Sequence, residues 1–237
     1  MDIIYSLIVV ALSAIVQASF QLSISTLTLL SSHSLGAKRS QIKLLKLTSS
    51  FMVGAIIMTF LLIADAILVL VSIYKGAPTQ LIWTIACGLN IGVGLSVWLF
   101  YFQPGGGTSL WVPRPFAHYL TERTKSTRSG AEAFSLGLSS VFGELLFICA
   151  PILMAAVIIS TLPTIWQFAG IGLYGLISLS SLGIVWVLIS SGHKISRIQK
   201  WRENNKRFLQ FSAGAGLVII ALFVFINEVM TSYVAGV

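Results

Sequence analysis

The sequence predicts an all-α protein whose helices cross a lipid bilayer. Hydrophobic residues make up 56% of the chain, charged residues only 9%, and the mean hydropathy is +0.93. Such a chain has too little polar surface to face water on all sides, which excludes a soluble domain of any size. The apolar residues fall into six stretches, each long enough for the roughly 20-residue helix that spans the hydrocarbon. We therefore predict an all-α polytopic membrane protein with six transmembrane helices.

The predicted spans form a single transmembrane domain over residues 1–237. They cover residues 3–30, 47–74, 79–103, 131–160, 165–191 and 209–230. Their five connections carry 4, 1, 4, 0 and 6 Lys and Arg residues in chain order. Because basic residues are retained on the cytoplasmic side of short connections, we expect the three basic connections, including 104–130, to be cytoplasmic. Both termini should then lie on the outer side of a cell membrane, which is an inner membrane or a plasma membrane.

The net charge of +8 does not indicate nucleic-acid binding. The basic residues lie beside apolar spans, where anionic lipid headgroups account for them. The expected partners are the lipid bilayer and a small-molecule or ion substrate, and the architecture is compatible with a homo-oligomer. No ATP-binding motif, metal-ligand cluster or nucleophilic triad appears in the sequence, so we expect neither an enzyme nor a cofactor or bound metal.

Three spans precede the 104–130 connection and three follow it, and the two halves start on opposite sides of the membrane. This is the arrangement of an inverted repeat. Residues 17–30 can be aligned with residues 140–153, which pairs Gln21 with Glu144. We therefore predict two inverted three-helix repeats.

Polar side chains at membrane depth are the candidate functional residues. Asp65, Asn90 and Glu144 lie near the middle of the second, third and fourth spans. A charged side chain at the bilayer centre costs about 2.5 to 3.5 kcal/mol on insertion scales, so the two carboxylates need an explanation. The functional interpretation is a midplane substrate or ion site formed by these three residues with Gln17 and Gln21. The structural alternative is that the amides act as hydrogen-bonding glue between helices, while a protonated Glu144 bonds to a neighbouring backbone.

The first span has one polar face. Ser13, Gln17, Gln21 and Ser25 recur every four residues, so they lie on one side of a helix, and this side should not face lipid. In the fourth span, Pro151 follows Glu144 by seven residues. Proline removes a backbone donor, which predicts a kink or break beside the carboxylate.

Glycines in two spans indicate close helix packing. Gly88 and Gly92 form a GxxxG motif in the third span, and Gly170, Gly172 and Gly175 cluster in the fifth. Small residues at this spacing let helix backbones approach each other within a membrane.

Cys87 and Cys149 are the two cysteines, and both lie within predicted spans. Counted along the helices, both thiols are roughly 12 to 15 Å below the outer surface. They could form a redox pair if their helices touch. The alternative is that each is a small buried hydrophobic residue.

The chain resembles the LysE/DsbD-type superfamily of six-helix membrane proteins in size, in topology and in its two inverted halves. The CcdA-like branch, which carries electrons across membranes, is similar around residues 133–137 (Ala-Phe-Ser-Leu-Gly) and at Cys149-Ala150-Pro151. In that branch the proline usually precedes the cysteine, whose partner lies in the first helix, whereas here Cys87 is in the third span. The exporter branches imply efflux of an amino acid, metal ion or other small solute.

These observations favour a secondary transporter or exporter of a small solute or ion with a midplane polar site. One alternative is a CcdA-like transmembrane thiol-redox carrier. Another is a non-catalytic membrane scaffold or assembly protein that holds a partner through residues 104–130 and 192–208.

Overall fold

The computed structural model describes residues 2–21, 41–74, 77–101, 129–191 and 195–231. Every regular element in these ranges is helical. The helices are α1 (Ile3–Gln21), α2 (Gln41–Ile73), α3 (Gln80–Ser96), α4 (Gly130–Gly143), α5 (Leu145–Ser160), α6 (Thr164–Ser178), α7 (Ser180–Ser190) and α8 (Ile195–Val224). Two π-helical segments, Val97–Tyr101 and Phe225–Met230, continue α3 and α8.

Several of these helices are long and apolar enough to cross a membrane. Four meet this requirement of length and composition as single helices, namely Ile3–Gln21, Leu45–Ile73, Gln80–Phe100 and Arg207–Met230. The pairs α4–α5 and α6–α7 satisfy the same criterion only together, and they are bent by 77° and 46°. The described residues therefore contain four candidate membrane spans, or six if each bent pair is one span.

Two helices extend beyond the predicted spans at their charged ends. α2 begins at Gln41 rather than at residue 47, and α8 begins at Ile195 rather than at residue 209. Lys, Arg and Gln are good helix formers, whereas hydropathy marks only the part of a helix that suits lipid. Residues 22–30 of the first predicted span and residues 102–128 of the central connection lie outside the described residues.

α4 begins with a capping box. The hydroxyl of Ser129 accepts a hydrogen bond from the backbone N–H of Glu132 at 3.2 Å, and the Glu132 carboxylate accepts one from the N–H of Ser129 at 3.3 Å. This reciprocal pair satisfies donors that a helix start leaves without intrahelical partners. It explains why the helix starts directly after the central connection.

Two glycines allow α2 and α4 to cross with their backbones in contact. A Cβ added at Gly54 would overlap the carbonyl oxygen of Phe134, and a Cβ added at Gly137 would overlap that of Phe51. The obstacles are backbone atoms, which cannot rotate away as a side chain can. Only glycine fits at the two crossing positions.

The predicted close packing at Gly88 and Gly92 is wrong for the described residues. A Cβ added at either glycine would meet no described atom within 4 Å, and both residues are exposed on α3. The GxxxG spacing shows that two glycines share a helix face, but it does not show that another helix covers that face. In the fifth predicted span Gly172 is also open, whereas Gly170 and Gly175 do contact neighbouring side chains.

α5 lies at the centre of the helix packing. Nine of the ten residues from Ala150 to Ile159 are buried, and the helix contacts α1, α2, α3 and α6. The other main contacts join α1 to α6 and α8, α2 to α4, and α3 to α8. The described core is therefore formed mainly between the first three helices and the last five.

Contacts at both ends give the helix directions. In the first third of α2, the Ser50 hydroxyl lies 3.1 Å from the Cβ position of Gly130, the first residue of α4. At the far ends, the Tyr74 hydroxyl hydrogen-bonds Ser160. α2 therefore runs parallel to the α4–α5 pair.

α3 and α8 run antiparallel. Gln80, at the start of α3, donates a hydrogen bond to the carbonyl of Val229 at 3.2 Å. Trp98 donates from its ring nitrogen to the carbonyl of Phe211 at 3.2 Å, and the two rings stack with centroids 5.8 Å apart.

Candidate functional site

The polar face of α1 points into the protein, as its spacing predicts. Ser13, Gln17 and Gln21 are fully buried. Ser25, which continues the row, lies outside the described residues. Within the described part of α1, this face is covered by other helices rather than by lipid.

Tyr174 on α6 meets this face. Its hydroxyl donates a hydrogen bond to Oε1 of Gln17, and Tyr174 itself is completely buried. In the described structure, Nε2 of Gln17 and Oγ of Ser13 have no hydrogen-bond partner. Buried polar groups normally find partners, so two unpaired groups on one helix face provide hydrogen-bonding capacity that the described side chains leave unused.

Glu144 occupies the break between α4 and α5. Its side chain is fully buried, its backbone angles are φ −87° and ψ −7°, and the two helices diverge there by 77°. Its backbone carbonyl accepts hydrogen bonds from Phe147 at 2.9 Å and Ile148 at 3.1 Å, which form the first turn of α5. The backbone of Glu144 therefore stands where the last carbonyl groups of α4 and the first N–H groups of α5 come together.

The predicted break is present, but Pro151 does not cause it. α5 continues through Pro151 without interruption from Leu145 to Ser160. The interruption is at Glu144, directly after Gly143, whose residue type is a poor helix former. α4 packs on α2, whereas α5 packs in the centre of the protein. The two helices therefore run in different directions from this point.

α1 and α5 meet beside Glu144. The rings of Phe20 and Phe147 stack with centroids 5.6 Å apart and an interplanar angle of 26°. Phe20 precedes Gln21, and Phe147 lies one turn after Glu144. The stacking therefore brings the end of α1, where Gln21 lies, to the first turn of α5.

Asn90 binds to α5 further along the helix. Its amide nitrogen donates to the carbonyl of Ala86 at 2.8 Å and to that of Ala150 at 3.0 Å, while its amide oxygen has no partner among the described residues. Ala150 is six residues beyond Glu144, about 9 Å along a helix axis. Asn90 thus links α3 to α5, which is the behaviour expected of interhelical glue.

Asp65 differs from the other candidate residues in its burial. It is exposed on α2, whereas Gln17, Gln21, Asn90 and Glu144 are all fully buried. The sequence places Asp65 at the right depth, but hydropathy does not indicate which side of the helix faces the protein. We therefore leave Asp65 out of the candidate site.

The two cysteines lie on helices that touch. Asn90 is three residues after Cys87, and it bonds to the residue that follows Cys149. Both thiols are free, Cys87 is buried, and the Cys149 thiol is directed back to the carbonyl of Leu146 at 3.4 Å. Within the described ranges, no three His, Cys, Asp or Glu side chains form a group that could hold a metal ion.

Several buried polar residues were not predicted from the sequence, and Tyr174 and Thr59 are two of them. Tyr174 and Thr59 are both fully buried at positions within apolar helices, and the Thr59 hydroxyl has no partner in the described structure. The signal was available, since a hydroxyl in the middle of an apolar stretch has the same need for a partner as an amide. The contact of Tyr174 with Gln17 could not be predicted from spacing within one helix, because it joins two different helices.

The described structure defines a helical protein with four to six candidate membrane spans and a buried polar core near Glu144. No protein-family model, curated protein or solved structure matches this chain.

Proposed function

We propose that this protein is a secondary transporter that carries a small solute or ion across a cell membrane. The observation that carries the proposal is the fully buried carboxyl of Glu144 at the break of an apolar helix pair. Broken helices in transporters place unpaired backbone groups and side chains at mid-membrane depth, where substrates and coupling ions bind. The break is 14 residues after the start of α4 and 16 before the end of α5, which agrees with such a depth.

In this proposal Glu144 binds a cation or carries a proton. Gln17 and Gln21 provide the polar wall on α1, and Tyr174 orients the Gln17 amide through its hydrogen bond. Asn90 holds α3 against α5 through its bond to Ala150, and its amide oxygen is left available to a substrate. Substrate oxygen and nitrogen atoms would use the hydrogen-bonding capacity left on the α1 face.

The helix packing supports an inverted repeat of two three-helix halves. Exchanging the halves exchanges α1 with α4–α5, α2 with α6–α7, and α3 with α8. The contact of α1 with α6 then corresponds to that of α2 with α4, and the contact of α1 with α8 to that of α3 with α5. The third helix of each half also ends in a π-helical segment. Rocking of one half against the other around a central site is the motion that such repeats permit.

The proposed orientation has the basic connections in the cytoplasm and both termini outside. In support, the start of α4 lies against Ser50 in the first third of α2, and the outer ends of α2 and α5 meet at Tyr74 and Ser160. The antiparallel contacts of α3 and α8 agree with the same assignment. The resemblance to the LysE/DsbD-type superfamily stays a prediction, because no match bears on it.

The proposal is tested by ligand-dependent thermal unfolding of the purified protein. The panel contains monovalent and divalent cations and amino acids, each at several pH values. A ligand at a hundred times its Kd stabilises the folded state by about 2.7 kcal/mol. For a chain of this length that raises the melting temperature by about 5 to 11 °C. We expect such a shift for the parent and its loss in Glu144→Gln.

Asp65→Asn is the matched control, since it neutralises a carboxyl at membrane depth that is exposed rather than buried. We expect this variant to keep the ligand shift. Uptake of the identified ligand into proteoliposomes should likewise be kept in Asp65→Asn and lost in Glu144→Gln. If no ligand shifts the parent and Glu144→Gln melts as high or higher, Glu144 is a packing element and the transporter proposal fails.

A thiol-redox carrier is the second candidate, because the hydrogen bond from Asn90 to Ala150 brings the helices of Cys87 and Cys149 together. This candidate requires a disulfide that forms on oxidation and is lost in Cys87→Ser and Cys149→Ser. Two thiols that stay free under oxidising conditions would remove it. The scaffold alternative stays a prediction, since its central connection lies mostly outside the described residues.

A further inference from the structure

The face of α2 that carries Asp65 is not explained by the proposed transport site. Asp65 is exposed, and so are Leu61 one turn before it and Leu68 and Val69 one turn after it. Only 17% of the α2 span is buried inside the structure, against 33% to 50% of the other three single-helix spans. A carboxyl therefore stands within an apolar surface that faces away from the protein.

Asp65 lies deep in the membrane on this surface. It is nine residues before Tyr74, at the end of α2 where Tyr74 and Ser160 meet. Nine residues of helix correspond to about 13 to 14 Å, close to half of a hydrocarbon layer about 30 Å thick. No described residue donates a hydrogen bond to the Asp65 carboxyl or forms an ion pair with it. Polar residues at this depth normally face protein, because lipid tails cannot solvate them.

The exposed residues around Asp65 have the spacing of a helix-packing seam. Successive steps of 4, 3, 4 and 3 residues connect five exposed positions, which are Ile57, Leu61, Ala64, Leu68 and Val71. This is the heptad spacing by which one helix packs along another. The small side chain of Ala64 at the middle of the seam permits close approach, and Asp65 borders it.

The apolar stretches of the sequence contain no Lys or Arg that would neutralise Asp65 at this depth. All 15 Lys and Arg residues lie between or at the ends of the apolar stretches. The nearest in the sequence are Lys46, 19 residues before Asp65, and Lys75, ten residues after it. A second copy of the chain, packed symmetrically on the same face, would bring another Asp65 to the seam rather than a cation. Charge complementarity therefore favours a different helix as the occupant.

We propose that this seam docks a transmembrane helix of another protein that carries one Lys or Arg at mid-membrane depth. The seam consists of Ile57, Leu61, Ala64, Asp65, Leu68 and Val71. Its apolar side chains pack against the partner helix, and the ion pair shields both charges from lipid. The docking surface is on the outside of α2, so it is independent of the buried site at Glu144.

The experiment uses the full chain reconstituted in lipid bilayers with a fluorescent probe helix. The probe is a 20-residue Leu/Ala peptide with one central Lys, and the matched probe has Leu at that position. Energy transfer from a dye on the chain measures binding. We expect the Lys probe to bind the parent at least tenfold more tightly than the Leu probe, and Asp65→Asn to remove the difference. Because Asp65 is exposed, this variant should fold, which its melting temperature checks.

Two further variants distinguish the contribution of helix packing at the seam from that of the Asp65 carboxyl. Ala64→Phe keeps the carboxyl but blocks close approach, so it should weaken Lys-probe binding at least fivefold. A double variant, Asp65→Asn with Ile219→Asp, moves the carboxyl to another exposed apolar face, on α8, where Ile219 is 63% exposed. We expect this double variant to bind the Lys probe no better than Asp65→Asn does.

Three results would overturn the proposal. The first is equal binding of the two probes to the parent. The second is binding of the Lys probe to the relocated carboxyl as tightly as to the parent, since any exposed carboxyl would then suffice. The third is an Asp65-dependent dimer of the parent that excludes the Lys probe, which would assign the seam to a second copy of the chain.

Discussion

The crossing of α2 and α4 at Gly54 predicts a large loss of stability on a minimal substitution. In Gly54→Ala the new Cβ would overlap the carbonyl oxygen of Phe134 and lie 3.1 Å from the backbone nitrogen of Leu138. An unstrained C···O contact is about 3.3 to 3.6 Å, so the two helices must separate by on the order of 1 Å. Overpacking costs about 1 to 3 kcal/mol, and a backbone obstacle places this site near 3 kcal/mol. The melting temperature should fall by about 6 to 12 °C.

The assay is thermal unfolding of the purified protein in detergent, followed by its helical circular dichroism. Gly137→Ala should behave like Gly54→Ala, because its Cβ would overlap the carbonyl of Phe51 and lie 3.0 Å from the nitrogen of Ala55. Gly92→Ala is the matched control, since its Cβ enters open space.

Alanine is the better helix former by about 0.8 to 1 kcal/mol, so Gly92→Ala should melt at or above the parent temperature. A Gly54→Ala variant that melts as high as Gly92→Ala would contradict this account of the helix crossing.

Two further predictions concern buried hydrogen bonds. Tyr174→Phe leaves Oε1 of Gln17 without its donor, which should cost about 1 to 3 kcal/mol. The double variant with Gln17→Leu should recover most of that loss in the same melting assay, and equal melting of the single and double variants would contradict it. Asn90→Leu removes the bond to Ala150 and should cost about 0.6 to 2 kcal/mol. Gln80→Ala, whose bond is exposed, should cost less, and a larger loss for Gln80→Ala would argue against the linking role of Asn90.

The polar face of α1 could be predicted because it depends on one helix alone. Polar residues four positions apart must lie on the same side, and lipid cannot satisfy their hydrogen bonds. Ser13, Gln17 and Gln21 are buried accordingly. The partner on that face, Tyr174, is 157 residues from Gln17 in the sequence, and no local period connects them.

The position of the helix break could be predicted only to within about two turns. Proline was the strongest local signal, but a helix accommodates Pro151 when the surrounding helices support it. The break lies at Glu144 instead, where α4 is held against α2 through Gly137 and α5 turns into the core. Neither constraint is visible from the residues beside Glu144.

The apolar helical class, the approximate extent of each apolar stretch and the inward face of α1 could be predicted, because they depend on composition and on the helical period. The helix contacts were needed to show that a Cβ at Gly54 or Gly137 would meet backbone, whereas one at Gly92 would not. They also separated two carboxyls that look equivalent in the sequence, since Glu144 is buried and Asp65 is exposed. The two differ because the burial of a side chain within an apolar helix depends on which neighbouring helix covers its face, and that neighbour is distant in the sequence.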